Sequence, residues 1–285
     1  MSKERKIKKV WQGRHTSDGA GVRLVRVFGY YEVNDMDPFL LLDAFGSDNP
    51  DDYLAGFPWH PHRGIETITY MLNGKVKHGD SLGNSGVIKE GDVQWMTAGS
   101  GIIHEEMPQR SEGTLAGFQL WANLPSHQKM MHPRYRDVKS EDIPEVISKT
   151  GTKVRIICGE YDNTKGPVQD IVTDPEYFDI TIGANDSFTH SVKKEYTAFA
   201  YVFEGNGIFD PEHEVVHEGT LVLFDEGTEI NIEAGSSGVR FLLISGKPLN
   251  EPIAWRGPIV MNTDEELRVA FDEYRSGSFL KDNPD

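Results

Sequence analysis

Residues 57–108 decide the fold, and they read FPWHPHRGIETITYMLNGKVKHGDSLGNSGVIKEGDVQWMTAGSGIIHEEMP. β-branched and aromatic runs at 65–72 and 93–96 alternate with turn signals at Asn73-Gly74, 80–86 and 97–101. Asn73-Gly74 has the form of a tight hairpin turn. No segment of the stretch carries the 3.6-residue period of a helix. Two short clusters close its ends, His60-Pro61-His62 in front and His104-Glu105-Glu106 behind.

Side chains at i and i+2 share one face of a strand. His60 therefore projects with His62, and His104 with Glu106, while Glu105 points the other way. A small barrel that brings both ends to one interior point creates a three-histidine, one-carboxylate metal site. Glu66, four residues after His62, competes for the carboxylate position; its other role is to orient a ligand imidazole. His78 and Asp80 lie beside a turn and read as exposed. His15, His127, His132, His190, His213 and His217 sit in polar or linker surroundings and read as surface.

Outward from this stretch the chain stays β-rich. Residues 39–42 (FLLL) suit a strand buried on both faces, and 115–124 make a further run. Between 125 and 150 the texture changes to a charged, proline-containing linker, which divides a metal-binding unit, 1–140, from a second β unit, 141–285. Strand patterns then resume through residue 244. A weak internal repeat relates the halves. Residues 67–74 align with 198–205, and 90–96 with 218–224. In that register Ser191 and Lys193 stand where His60 and His62 would be, and no histidine matches His104. One metal site is expected. The last element differs: Thr263-Asp264-Glu265-Glu266 is a capping box, and Leu267, Ala270, Phe271 and Tyr274 follow at helical spacing before Gly277.

The 285 residues suffice for two domains. A formal net charge of −16 opposes direct binding to nucleic acid or to anionic membranes, and the basic stretch at 3–9 reads as a solvated arm. Cys158 is the single cysteine and lies among apolar neighbours, so it reads as a core residue of a protein from a reducing compartment. No apolar run reaches the length of a membrane span, and no secretory signal opens the chain. A cytoplasmic protein is expected, with a nuclear location added in a eukaryote.

The chain resembles the pirin family of the cupin superfamily. The resemblance rests on FPWHPHRGIETITYMLNG and GDVQWMTAGSGIIHEEMP. It extends to Asp18-Gly19-Ala20-Gly21, DPFLLLD at 37–43, Gly159-Glu160 with Gly166-Pro167-Val168, and GPIVMNT at 257–263. It implies a mainly β fold of two tandem cupin-type (jelly-roll) barrels with a C-terminal amphipathic helix. It also implies one mononuclear metal in the first barrel, held by His60, His62, His104 and Glu106, which leaves Glu66 as a neighbour of the ligands. The metal implied is iron as Fe(II); Mn, Co, Ni, Cu and Zn suit the same donors. Quercetinase activity is implied in turn: flavonols cleaved at the 2,3-bond by dioxygen with release of carbon monoxide, and Glu106 taking the proton of the 3-hydroxyl. Phe57, Trp59, Trp95 and Met96 are candidates to enclose the flavonol rings, their other role being core packing. The family equally implies a non-enzymatic alternative, an iron-dependent redox-sensing regulator that acts through protein partners.

Overall fold

The computed structural model describes residues 3–281. Strands dominate, every pairing between named strands is antiparallel, and the described residues fall into two compact units. The unit that carries the histidine stretch comprises Arg14–Ser140 and residues from Leu249 onward; the other comprises Glu141–Pro248 and the residues up to Gly13. This corrects the division at 1–140 and 141–285 at both chain ends. The N-terminal strand Ile7–Gln12 pairs with Thr220–Phe224, and the segment after Leu249 packs on the first unit. Local sequence gives no sign of either exchange, because a strand's alternation does not specify its partner.

The first unit has a seven-stranded and a four-stranded sheet. In the larger one Val93–Thr97, Ile65–Asn73, Leu115–Asn123, Phe39–Ser47 and Val22–Phe28 are consecutive neighbours. In the smaller one the order is Phe57–His62, Ile102–Pro108, Lys75–Asp80, Ser85–Lys89. Asn73-Gly74 is therefore not a hairpin. The strand before it belongs to one sheet and the strand after it to the other, so Gly74, at φ +81, turns a barrel corner. The supposed linker is also partly strand: Arg134–Val138 pairs with Val93–Thr97, and Glu145–Ile147 with Lys153–Cys158.

The second unit has a nine-stranded sheet around a dense apolar core that includes Val154, Phe178, Phe209, Val222, Ile232 and Phe241. Each such side chain contributes about 1.5–3 kcal/mol by leaving water. The repeat holds at the level of individual pairs. Ile68, Thr69 and Tyr70 face Trp95, Gln94 and Val93; the aligned Phe199, Ala200 and Tyr201 face Leu223, Val222 and Leu221. Cys158 is buried, and its thiol donates to Val168 O.

The capping box forms as expected. Thr263 accepts from the Glu266 N–H, Glu266 accepts from the Thr263 N–H, and the helix Asp264–Ser276 ends at Gly277 in the left-handed region. Leu267 and Ala270 bury against Ile259, Met261 and Phe279 of the same unit. Among the described residues no helix is long and apolar enough to cross a membrane.

Candidate metal centre

Strand Ile102–Pro108 lies between Phe57–His62 and Lys75–Asp80, and the register of these three strands builds the site. His104 faces His60 on one side and Asp80 on the other; Glu106 faces His78. The alternation that presents His104 and Glu106 thus brings in His78 and Asp80 from the next strand. The ring nitrogens of His60, His62 and His104 converge until their ligand atoms all lie within 4.8 Å of one another. His62 and His104 are buried, and His60 is half-buried.

The hydrogen bonds fix the tautomers. His60 Nδ1 lies 2.9 Å from Pro58 O and His62 Nδ1 lies 3.0 Å from Pro258 O. A carbonyl only accepts, so each Nδ1 carries the proton and each Nε2 offers a lone pair. The two Nε2 atoms are 3.0 Å apart. Two bare lone pairs at that distance repel unless a cation lies between them. Both nitrogens of His104 are buried with no hydrogen-bond partner. Burial, and then the neighbouring imidazoles, push His62 and His104 well below the ordinary histidine range, which keeps them in the neutral form that binds metal. The donor set fits a divalent transition metal: cis ligands with bonds of about 2.1 Å stand roughly 3 Å apart.

Glu106 lines the same cavity, but its carboxylate is engaged beside the cluster, where Oε1 accepts from Thr69 Oγ1 at 2.8 Å. Thr69 Oγ1 also lies 2.7 Å from the Gln119 amide, and one hydroxyl proton cannot serve two acceptors. The chain is satisfied when Gln119 turns its amide nitrogen toward Thr69, which then donates to Glu106. Glu66 is buried and accepts from Thr97 Oγ1 at 2.6 Å rather than from an imidazole; burial raises its pKa.

His78 and Asp80 are corrected from exposed to fully buried. His78 stacks on Tyr135 and meets His104 edge-on at 5.5 Å between centroids. Burial works against charge on Asp80, but His78 and the Asn84 and Leu82 donors outweigh it and hold its pKa low. The signal was present in the sequence: Lys75 and Lys77 alternate with Val76 and His78, which turns His78 inward. His190 is likewise buried in the second unit, 3.2 Å from Glu176 Oε2.

His60 and His62 of the cluster line one wall of a cavity of about 650 Å³ between the two sheets. Phe57 lines it as expected. Trp95 and Met96 belong to the core, and Trp59, at 52 % exposure, does not line it. The aromatic wall instead uses Tyr30, Trp121 and Trp255, which the pattern of short strands did not single out. A polar patch lies in the same wall, where Arg26 donates to Asp43 through Nε and Nη2 and to Asp18 through Nη2. Burial raises Asp43 to about 6 against the pull of Arg26.

Two buried cations hold the frame. Arg63, next to His62, donates to Ser100 O in the turn before the His104 strand, to Phe279 O, and to Glu273. Lys129 Nζ donates to Gly64 O, Asn123 Oδ1 and Val260 O, and burial lowers its pKa to about 7. Gly64 has φ +77, and a Cβ there would stand 2.1 Å from Val260 O, so the backbones touch at this point.

Two family models match the chain, Pirin over residues 21–122 and Pirin C-terminal cupin domain over 177–280. The chain is 44 % identical over 282 residues to a Pseudomonas aeruginosa protein named "Putative quercetin 2,3-dioxygenase", with 97 % of this chain and 99 % of that protein covered. It is 43 % identical to a pirin-like protein of Caulobacter vibrioides, covering 96 % of this chain and 99 % of that one. Among solved structures, a quercetin 2,3-dioxygenase from Acinetobacter baumannii superposes with a TM-score of 0.90 at 34 % identity, over 97 % of this chain and 99 % of its own. The sheets, the two-unit repeat and these matches agree: the chain belongs to the pirin family, with two cupin domains.

Proposed function

We propose that this protein is a metal-dependent dioxygenase that cleaves flavonols, with iron(II) at the three-histidine cluster. The observation that carries the reading is the convergence of three imidazoles beside an aromatic-walled cavity of about 650 Å³. That volume lies within the usual range for small-molecule sites. His60, His62, His104 and Glu106 are the residues to hold the ion, which when bound supplies Lewis acidity and one-electron chemistry toward dioxygen. Pro58 O and Pro258 O keep the imidazole tautomers correct for that task. Glu106 takes the proton of the flavonol 3-hydroxyl, and the Gln119–Thr69 chain holds the carboxylate while it does so. Phe57, Trp121 and Trp255 face the planar rings, and Leu24, Leu41 and Val76 exclude water around them. The patch at Arg26 and Asp43 offers partners to the outlying hydroxyls. A cytoplasmic, reducing compartment suits this chemistry and the buried thiol of Cys158.

The test is oxygen uptake and quercetin loss by protein loaded with iron(II) without oxygen and then exposed to it. Both should proceed together. His104→Ala should abolish metal binding and turnover, and Glu106→Gln should lower turnover by about 10²–10⁴-fold, the usual worth of a general base. An iron-loaded protein that turns over no member of a flavonol panel overturns the proposal.

A further inference from the structure

The rings around the cavity form a continuous series that runs from solvent to the metal cluster. Tyr31, 83 % exposed, meets Tyr30 edge-on at 5.8 Å between centroids. Tyr30 lies 5.8 Å from Trp255, Trp255 lies 6.0 Å from Trp121, and Trp121 meets His62 edge-on at 5.0 Å. Four of the five are phenols or indoles, the side chains that lose one electron most readily, and the fifth is a residue of the cluster. The series is also held in place. Trp255 Nε1 donates to Gly257 O at 2.8 Å, and His62 is bound to Pro258 O, so one short segment fixes a middle ring and the terminal imidazole together. Core packing does not account for the outer members, because Tyr30 and Tyr31 are both exposed.

We infer that Tyr31, Tyr30, Trp255 and Trp121 are an electron relay that lets a one-electron acceptor at the surface oxidise a metal at His62 without entering the cavity. This rests on the reading of the cluster as a redox-active metal site. The outer acceptor takes one electron from Tyr31, whose phenolic proton passes to water. Tyr30, Trp255 and Trp121 refill the vacancy in turn; Tyr30 also releases its phenolic proton to water, each indole passes through its radical cation, and each tyrosine recovers a proton from water when it is reduced. At the inner end Trp121 takes its electron through His62 from the metal. The balance is one electron lost by the metal and one gained by the acceptor, with no oxygen atom transferred. A flavonol filling the cavity does not block this path, because the rings are wall rather than contents.

Tyr135 offers a competing path, stacked on His78, which in turn meets His104. It has an imidazole rather than an indole as its middle member, and imidazole is much harder to oxidise. The two paths make different predictions.

The experiment uses a ruthenium(III) polypyridyl complex, generated by a laser flash in the presence of a sacrificial acceptor, with the iron(II)-loaded protein held free of oxygen. The readout is the rate at which ferric iron appears by absorbance and by freeze-quench electron paramagnetic resonance. Trp255→Phe keeps the ring but removes the station, roughly doubling the longest jump, and should slow ferric iron formation by about tenfold or more. Trp121→Phe should do the same, whereas Trp59→Phe, exposed but off the series, should leave the rate unchanged. Equal iron content and thermal midpoint in the variants show that folding is intact. In metal-free protein the same flash should leave an indole radical whose yield falls in Trp255→Phe and Trp121→Phe. Rates and radical yields equal to the parent in both variants, or a loss seen in Tyr135→Phe alone, overturn the relay. Flavonol turnover is measured separately by oxygen uptake, so an inactive enzyme with an intact relay, or the reverse, is recognised as such.

Discussion

Replacing Arg63 by methionine tests the account of how the metal site is framed. The guanidinium is buried, and it reaches Ser100 O at 2.6 Å, Phe279 O at 2.7 Å and Glu273 Oε2 at 2.8 Å, with its carbon 4.2 Å from the Phe279 ring centroid. Methionine fills much of the volume but donates nothing. The two carbonyls lose their donor, at a cost of about 1–3 kcal/mol each. Loss of the cation over the ring adds about 1 kcal/mol. Glu273 is partly exposed and keeps Lys281 at 2.8 Å, so its share is small after solvent screening. Relief from holding a buried charge offsets part of this. A net loss of about 3 kcal/mol follows, which lowers the midpoint of this unit by roughly 6–12 °C. Differential scanning calorimetry reads it directly, with Arg63→Lys, which keeps the charge but not the fork, falling between. A shift below about 2 °C refutes the reasoning. So does a Glu273→Gln variant as damaging as Arg63→Met, because the ion pair rather than the carbonyls would then be the tie.

Gly64→Ala should destabilise by more than about 2 kcal/mol, since a Cβ meets Val260 O at 2.1 Å and φ is +77; urea unfolding measures it. Lys129 titrates at about 7 when folded and near 10.5 when unfolded. Between those values the unfolded chain holds more protons, so stability should rise with pH across this window, and Lys129→Met should flatten the slope in thermal midpoints taken from pH 7 to 10. Glu273 has its pKa lowered, with burial opposed by Lys281 and Arg63; its stabilisation is present above the unfolded value of 4.5 and lost as pH falls through the folded one. Acid titration of Glu273→Gln should show that loss removed. Saturating metal should raise stability by about 2.7 kcal/mol at a hundred times Kd, and His62→Ala should abolish the gain in calorimetry with and without a chelator.

Strand parity was enough to pair His60 with His62 and His104 with Glu106, because a period of two survives whatever sheet the strand joins. The repeat was legible for the same reason, down to the matching of Tyr70 on Val93 with Tyr201 on Leu221. Sheet membership was not legible. Asn73-Gly74 has hairpin chemistry, yet the glycine is used to cross between sheets, a choice set by long-range pairing. His78, Asp80 and His190 looked polar and peripheral because burial was judged from composition; their alternation with lysine, valine or phenylalanine held the better signal. Trp255 and Pro258 could not be placed at the site from sequence, as some two hundred residues separate them from His62.

That last separation bears on how the protein is made. His62 is oriented by Pro258, Arg63 by Phe279, and Lys129 by Val260, while the first strand, Ile7–Gln12, pairs with Thr220–Phe224. On the ribosome, the sequence that carries all three histidines is synthesised in the first half of the chain, but the frame that holds them is finished only when the residues around 260–280 emerge. Metal capture by a correctly set centre is therefore a late event of synthesis. A chain stalled or truncated before Pro258 presents His60, His62 and His104 without the carbonyl that fixes His62.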